Sequence, residues 1–283
     1  MSKYFNSIVT CHRDRRLALR SFLRAFSLVV SYVDKDSFEI VITDMDEDNR
    51  SIVDRYTDVL NINLCRVKHD GIFCRGKALN HAVLNARGEY VTPIDIDSIV
   101  PKHFLTHIED FYYKYELKEM KLCHRIRKLD IKTTIDFLFS NFGEDDVSSI
   151  VESCNKFIIN RERYTKDEII YNGGDIDDKW LNGDALGTSQ FTMLRSIFMK
   201  LGGYDEGFVG YGCEDLDFNT RAYKFLGGGY LIPNSRCSLY HLANMNSSKG
   251  YKGKILSENY NRYLVNKENN IISIPISYKW GTF

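Results

Sequence analysis

No charge of either sign is in excess along this chain of 283 residues, where 38 lysines and arginines face 38 aspartates and glutamates. Nothing therefore draws the whole molecule toward nucleic acid or an anionic membrane, although the balance leaves room for a local basic strip. No C-x-x-C pair occurs among the seven cysteines, Cys11, Cys65, Cys74, Cys123, Cys154, Cys213 and Cys237, which argues against a structural zinc site. No apolar run approaches the ~18 residues that a membrane span needs. There are no internal repeats. Met1-Ser2-Lys3-Tyr4-Phe5-Asn6 runs straight into a strand pattern, and an odd thiol count without a leader fits a reducing compartment. A soluble, cytoplasmic protein is the expectation. At 43% hydrophobic and 27% charged residues, the chain can bury a real core in one large domain or two small ones.

The first 115 residues alternate between two periods. Ser7 to Thr10 reads as a short buried strand. Leu19, Phe22, Leu23, Phe26, Val29 and Val30 then follow the spacing of an amphipathic helix. Phe38 to Thr43 is a second strand, followed by a helix with Ile52, Tyr56, Val59 and Leu60 inward. Ile62 to Val67 is a third strand. Ala78, Leu79, Ala82, Val83 and Ala86 mark the next helix, which stops at Gly88. Glu89 to Ile94 is a fourth strand, and Pro101 opens a helix carrying Phe104, Leu105, Ile108, Phe111, Tyr112 and Tyr115.

Four strand–helix alternations predict an α/β fold, a mostly parallel sheet with helices on both faces. Ligands of such sheets lie beyond the carboxyl ends of the strands, so the segments after Thr10, Thr43, Val67 and Ile94 should converge. The middle is less legible. Glu119 to Arg127 has a strand pattern, but Asp130 to Asn182 is polar and weakly periodic, with turns at Asn172-Gly173-Gly174-Asp175 and Asn182-Gly183-Asp184. Loops and short helices over the sheet are expected there, a usual place for acceptor recognition. Order returns with a strand at Ser189 to Arg195, a short helix at Ser196 to Leu201 and a helix at Glu214 to Leu226. Gly227-Gly228-Gly229 stops that helix, and another strand starts at Tyr230. Beyond Asn244 the tail is rich in Asn, Lys and Ser, and partial mobility is expected.

Six D-x-D pairs occur, beginning at Asp34, Asp44, Asp46, Asp95, Asp175 and Asp215, so the spacing alone says little and context must choose. Asp34 and Asp46 lie in polar loops and Asp175 in a turn. Asp95-Ile96-Asp97 differs, because Tyr90 to Ile94 carries the chain to the sheet's carboxyl edge and releases both carboxylates there. A hard divalent cation takes oxygen ligands and bridges them to phosphates, and its charge would stabilise a departing nucleoside diphosphate. Capping of the following helix is the competing account. Asp44 ends the second strand, where a carboxylate can accept from a base imide or simply close a turn. Thr10 ends the first strand at the same edge, beside His12, which is assigned no chemistry. Arg75-Gly76-Lys77 opens the third helix, and its cations and amides suit a diphosphate or a solvated turn.

Further on, Glu214, Asp215 and Asp217 fall in the first turn of a helix, where the dipole stabilises negative charge. Capping alone hardly requires Gly202-Gly203, Gly207, Gly210 and Gly212 just upstream, which suggest tight turns or backbone passing close to a ligand. The two acidic motifs, in this order, suggest sugar transfer from a nucleotide donor. The dipole also lowers carboxylate basicity, so a general base here must gain from proximity to an acceptor hydroxyl and from positive charge developing on the sugar. His241 follows a late strand as a structural histidine or a metal ligand. Trp180, Tyr204, Phe208 and Tyr211 suit stacking on a sugar ring or plain core packing.

With these residues in place, the chain resembles a GT-A glycosyltransferase. Residues 7 to 115 are similar to the nucleotide-binding half of glycosyltransferase family 2, through Glu39-Ile40-Val41-Ile42-Thr43-Asp44, Lys77-Ala78-Leu79-Asn80, Ala86-Arg87-Gly88-Glu89-Tyr90-Val91 and Asp95-Ile96-Asp97. Residues 187 to 229 resemble the segment shared by beta-1,4-galactosyltransferases, chondroitin polymerases and polypeptide N-acetylgalactosaminyltransferases. The resemblance implies a UDP-sugar donor bound by Thr10, Asp44, Arg75, Lys77, Asp95 and Ile96, with Asp44 on the uracil and Asp95 on the ribose or metal. It implies manganese or magnesium at Asp97 with His241 and Asp95. It makes Asp215 the catalytic base of an inverting enzyme, places Glu214 on the acceptor, and puts Trp180, Tyr204, Tyr211 and Gly212 near acceptor or sugar. The turn Asp44-Met45-Asp46 departs from the commoner Asp-Asp-Gly-Ser, and Tyr211 and Cys213 stand where tryptophan and glycine are frequent.

The expected organisation is a catalytic domain over 1–245, with a nucleotide-binding half at 1–118, an acceptor half at 119–245 and an extension at 246–283. The acceptor implied is a glycan, glycolipid or other hydroxyl compound, as in polysaccharide biosynthesis. Modified DNA bases of a phage are an alternative acceptor, against which the neutral charge counts. A nucleotidyltransferase would also use paired aspartates on an alternating fold, but this chain has no glycine-rich phosphate loop near residue 10. A non-catalytic nucleotide-sugar-binding protein is the remaining reading.

Overall fold

The computed structural model describes residues 3–45, 49–68, 71–115, 120–124, 126–139, 169–171, 189–210, 212–227, 230–232, 239–243, 254–276 and 280–283. The N-terminal half holds β1 (Tyr4–His12), β2 (Phe38–Asp44), β3 (Ile62–Arg66) and β4 (Gly88–Pro93), joined by α1 (Arg16–Val29), α2 (Arg50–Val53) and α3 (Arg75–Leu84). Next come β5 (Ser98–Ile99), α4 (Phe104–Tyr115), β6 (Lys121–Cys123), β7 (Ile126–Lys128), α5 (Ile131–Phe139), β8 (Ile169–Tyr171), β9 (Phe191–Leu194), β10 (Tyr230–Ile232) and β11 (Leu239–His241).

One sheet runs β3-β2-β1-β4-β9-β6-β10-β8, and a small one runs β5-β11-β7. Strands β1 to β4 are mutually parallel, while β9 runs antiparallel to both β4 and β6. The expected mostly parallel α/β architecture is present. Every residue of β2 is buried, as a strand covered on both faces requires.

Two cores explain the pattern. Leu19, Phe22, Leu23, Phe26 and Val29 of α1 pack with Phe104 and Ile108 of α4 on one face of the sheet. Ala78, Leu79, Ala82 and Val83 of α3 pack on the other with Phe198, Phe218 and Trp280. Each fully buried Leu or Phe contributes ~1.5–3 kcal/mol. Between β1, β2 and β4 lies a buried carboxylate, Glu39, which accepts from Ser7 Oγ at 2.7 Å and from Arg87 Nη2 at 2.9 Å.

Three local readings change. The helix expected through Leu60 ends at Val53, followed by a 3-10 turn at Asp54–Tyr56. The Tyr56 carbonyl takes both the Val59 and Leu60 N–H groups, so the chain turns back and Val59 stays exposed. The strand expected over Glu119 to Arg127 is two short strands, β6 and β7, in different sheets. Most important, much of the tail beyond Asn244 is ordered. It forms a helix, Lys254–Glu268, and returns so that Trp280 is buried with its Nε1 donating to Gly202 O at 2.9 Å. Gly281 N donates to Glu206 Oε1 at 2.7 Å.

Candidate active site

Pairing of β5 with β11 assembles the first half of the site. Ser98 follows Asp97 directly and sits opposite His241 in the antiparallel register, and Leu242 N donates to Asp97 O at 2.8 Å. Asp95, Asp97 and His241 thereby bring ligand atoms within 4.8 Å of one another. His241 Nδ1 lies 2.7 Å from Leu242 O, a pure acceptor, so Nδ1 carries the proton and Nε2 faces Asp97 Oδ1 at 3.2 Å. Two carboxylates and an imidazole held by its other nitrogen fit a divalent cation in donor type and spacing.

The second half arrives through the glycine-rich segment. Gly210 N donates to Phe73 O at 3.1 Å and Cys74 Sγ to Phe208 O at 3.2 Å, so this segment lies along the approach to α3. Gly76 has no side chain because a Cβ there would meet Tyr204 Cβ at 2.9 Å. Asn80 holds Tyr204 from both sides, accepting from its N and donating to its O at 2.9 Å each. The acidic helix Glu214–Phe225 then starts beside Arg75, the first residue of α3.

Arg75 joins the two acidic motifs. Its Nε donates to Asp95 Oδ1 at 2.8 Å, its Nη1 to Asp215 Oδ1 at 2.7 Å and its Nη2 to Ser189 O at 3.1 Å, with Glu214 at 4.0 Å. Ser189 Oγ and Gln190 Nε2 donate to the other oxygen of Asp95, at 3.4 and 3.3 Å. Arg15 pairs with Asp97 Oδ2. Arg15, Ser189 and Gln190 were missed by sequence reasoning. Of these only Arg15, just past the carboxyl edge of β1, carries a signal that could have been used.

The carboxylates are tuned in opposite directions. Burial would raise Asp95, but Arg75, His241 and Arg15 together hold it below the usual carboxylate value. Burial raises Asp215, Asp95 adds to it, and the opposing Arg75 does not cancel the rise. Glu214 is pushed up to about 7, by burial first and the Asp215 charge second. Burial therefore outweighs the loss of basicity expected from the helix N-terminus. Arg75 itself is held well above its ordinary value, because Asp215 and Asp95 overcome the burial that opposes its charge.

Other expected residues fall as follows. Asp44 is fully buried, with Oδ1 contacted by His12 Nδ1 at 3.3 Å and Asn49 Nδ2 at 3.1 Å. Thr10 Oγ1 is buried without a hydrogen-bond partner among the described residues, and Ile96 is a core residue. Lys77 is not in the cluster, and its ammonium lies 4.7 Å from the centroid of the Phe283 ring. Tyr204 is fully buried against Phe198 and Phe218, which makes it core and not a surface for a sugar. Phe208 is buried likewise, under the Arg262 guanidinium. Trp180 and Tyr211 lie outside the described residues, as do Asp46, Asp175 and the turns around 172 and 182.

The glycines serve the tail rather than a visible ligand surface. Gly202, at φ +75°, faces Ile274 O, Gly207 faces the Arg262 guanidinium, and a Cβ on Gly212, at φ +101°, would lie 2.6 Å from Leu256 Cδ1. Arg262 Nε and Nη2 donate to the two Asp205 oxygens at 2.8 and 2.9 Å. Asn266 Nδ2 donates to Asp217 Oδ1 at 2.8 Å, while Arg221 Nε donates to Asp217 Oδ2 at the same distance. Asp217 thus anchors its helix and does not face the cluster at Arg75. Asp34 caps its own turn, accepting from Asp36 N at 2.9 Å. Among the described residues Cys11, Cys65, Cys74, Cys123 and Cys213 are free thiols. Among the described residues no helix is long and apolar enough to cross a membrane.

The fold is that of a GT-A domain. Residues 7–118 match the family model of Glycosyl transferase family 2. No curated protein matches the chain in sequence. Solved structures of S. aureus TarS share its fold. The TarS 1–349 complex with UDP-GlcNAc is 15% identical with a TM-score of 0.65, covering 93% of this chain and 66% of that one. The complex of the same portion with UDP is 15% identical with a TM-score of 0.61, covering 94% and 73%. A longer TarS structure is again 15% identical at 0.61, covering 97% of this chain, which spans only 46% of that one.

Proposed function

We propose that this protein is a metal-dependent, inverting glycosyltransferase that moves a hexose or N-acetylhexosamine from a UDP-sugar to a hydroxyl of a glycan-type acceptor. The observation that carries the reading is the Arg75 guanidinium, bonded to Asp95 at 2.8 Å and Asp215 at 2.7 Å. In this reading Arg75 brings a leaving-group side and an acceptor side together. The family match over residues 7–118 and the fold held in common with a protein solved with UDP-GlcNAc support the same conclusion.

In this scheme Asp44 accepts from the uracil imide, beside Thr10, and Asp95 takes the ribose. Asp97, His241 and Asp95 would hold manganese or magnesium, which when bound neutralises the diphosphate that departs. Asp215 removes the acceptor hydroxyl proton while that oxygen bonds to the anomeric carbon. The bond to the diphosphate breaks on the opposite face, its electron pair leaves with UDP, and the configuration inverts. The raised Asp215 and lowered Asp95 suit a base and a permanent anion respectively. Glu214 contacts the acceptor. The contacts of Lys254–Glu268 and Trp280 with the glycine-rich segment support reading the tail as part of the catalytic domain.

The test is UDP release across UDP-galactose, UDP-glucose and their N-acetylamino forms, with and without manganese. Metal-dependent release from at least one donor is expected. Tight UDP binding with no turnover of any donor under any metal would instead make this a nucleotide-sugar-binding protein.

A further inference from the structure

We propose that His12 is a positioning residue that links the base-reading carboxylate, Asp44, to the cation site at Asp97. The inference rests on the roles just proposed for those two aspartates.

The link is a chain of named bonds. Arg15 N–H points at His12 Nε2 at 3.2 Å, and a backbone N–H can only donate, so Nε2 carries the lone pair. The imidazole proton is then on Nδ1, which donates to Asp44 Oδ1 at 3.3 Å. Asn49 Nδ2 donates to the same oxygen at 3.1 Å and lies 3.4 Å from His12 Nδ1. His12, Asp44 and Asn49 are all fully buried, so none of these bonds competes with solvent. At the far end, Arg15 is the residue before α1, and its side chain pairs with Asp97 Oδ2. That leaves Asp97 Oδ1 turned toward His241 Nε2, at 3.2 Å.

Arg15 is the weak member, because its side chain is 45% exposed. Its backbone N–H is held from the buried side by His12 Nε2. A base engaging Asp44 immobilises the carboxylate, the imidazole and the Arg15 backbone together. The cation then binds an Asp97 already oriented toward His241 and pays less ordering cost. By linkage, the cation must tighten the base to the same degree.

Uridine is the probe, because it carries no phosphate and cannot bridge to the metal through one. The Mn2+ dissociation constant is measured by the spin-resonance signal of free Mn2+, with and without saturating uridine. Wild type is expected to bind Mn2+ ~5–10-fold more tightly with uridine, the lower range of ordinary coupling factors. His12→Gln keeps an acceptor for Arg15 N but loses the donor to Asp44, and His12→Asn does the reverse. Each should reduce the factor to below ~2 while the protein still binds Mn2+. Arg15→Gln cuts the same chain at an exposed side chain and should do likewise even if the buried variants fail to fold.

Retention of the full uridine effect in any folded member of this set overturns the link, since a merely structural histidine would alter stability and leave the factor unchanged. A wild type that releases UDP from a donor but shows no uridine effect on Mn2+ also overturns it and leaves the proposed function standing. A wild type that binds neither uridine nor Mn2+ overturns both.

Discussion

Replacing Glu214 by Gln should stabilise the protein at alkaline pH and leave it nearly unchanged in acid. Glu214 is buried at the head of the acidic helix, and burial together with Asp215 raises it from 4.5 to about 7. Below pH 4.5 both the folded and the unfolded chain keep the proton, and the contribution to stability is fully present. Between 4.5 and 7 the unfolded chain ionises first, so stability falls as the pH rises, and above 7 the loss is complete. At 1.36 kcal/mol per unit the rise is worth ~3 kcal/mol, an upper figure because the Asp215 charge shares in it. Gln keeps the neutral shape and cannot titrate. Urea melts of both proteins at pH 5, 6, 7 and 8, in chelator, should show a difference growing from ~1 kcal/mol or less at pH 5 to ~3 kcal/mol at pH 8. That corresponds to roughly 5–10 °C in Tm for a chain of this size. A difference of one size at every pH would refute the account of a buried, raised carboxyl and make Glu214 an ordinary capping residue.

Arg75→Met should lower stability by ~3–5 kcal/mol, because it strands the Asp95 and Asp215 carboxylates in a largely buried site. Combining it with Asp215→Asn should recover part of that loss in a denaturant-melt cycle, and strict additivity would contradict the bridge. Trp280→Ala should cost ~3–5 kcal/mol in the same assay and raise protease sensitivity around Gly202, since it removes a buried ring and the bond to Gly202 O. A loss below ~1 kcal/mol would mean that the tail is dispensable. Asp97→Asn should weaken Mn2+ binding at least ~10-fold by titration while leaving the melting curve in chelator within ~1 kcal/mol, and unchanged affinity would remove it from the cation site.

Sequence legibility follows the distance over which each feature is decided. Strands β1 to β4 and helices α1 and α3 are written in local periodicity, and Leu19 to Val29 could hardly do anything else. Asp95-Ile96-Asp97 was legible because a local signal, the end of an apolar strand, coincides with the sheet edge where ligands collect. The Arg75 bridge was not, since it joins residues 20 and 140 positions apart and depends on Gly76 admitting Tyr204. The glycine-rich segment gave a true signal of close approach, but the chain that approaches is its own tail. Composition misled there: Asn and Lys suggested mobility, whereas Asn259 and Asn266 spend their amides on Val209 O and on Asp205 and Asp217. Tyr204 shows the same limit from the other side, for an aromatic near a catalytic motif reads alike whether it faces a sugar or the core.

The central claim is tested most directly by single-turnover transfer in Asp215→Asn, measured with a productive UDP-sugar, manganese and acceptor, alongside the UDP dissociation constant. The amide preserves shape and the contact region of Arg75 but cannot take a proton, so transfer should fall by ~10²–10⁴-fold with UDP affinity within about twofold of wild type. Transfer at the wild-type rate would show that Asp215 is not the base, whatever the cleft around it holds.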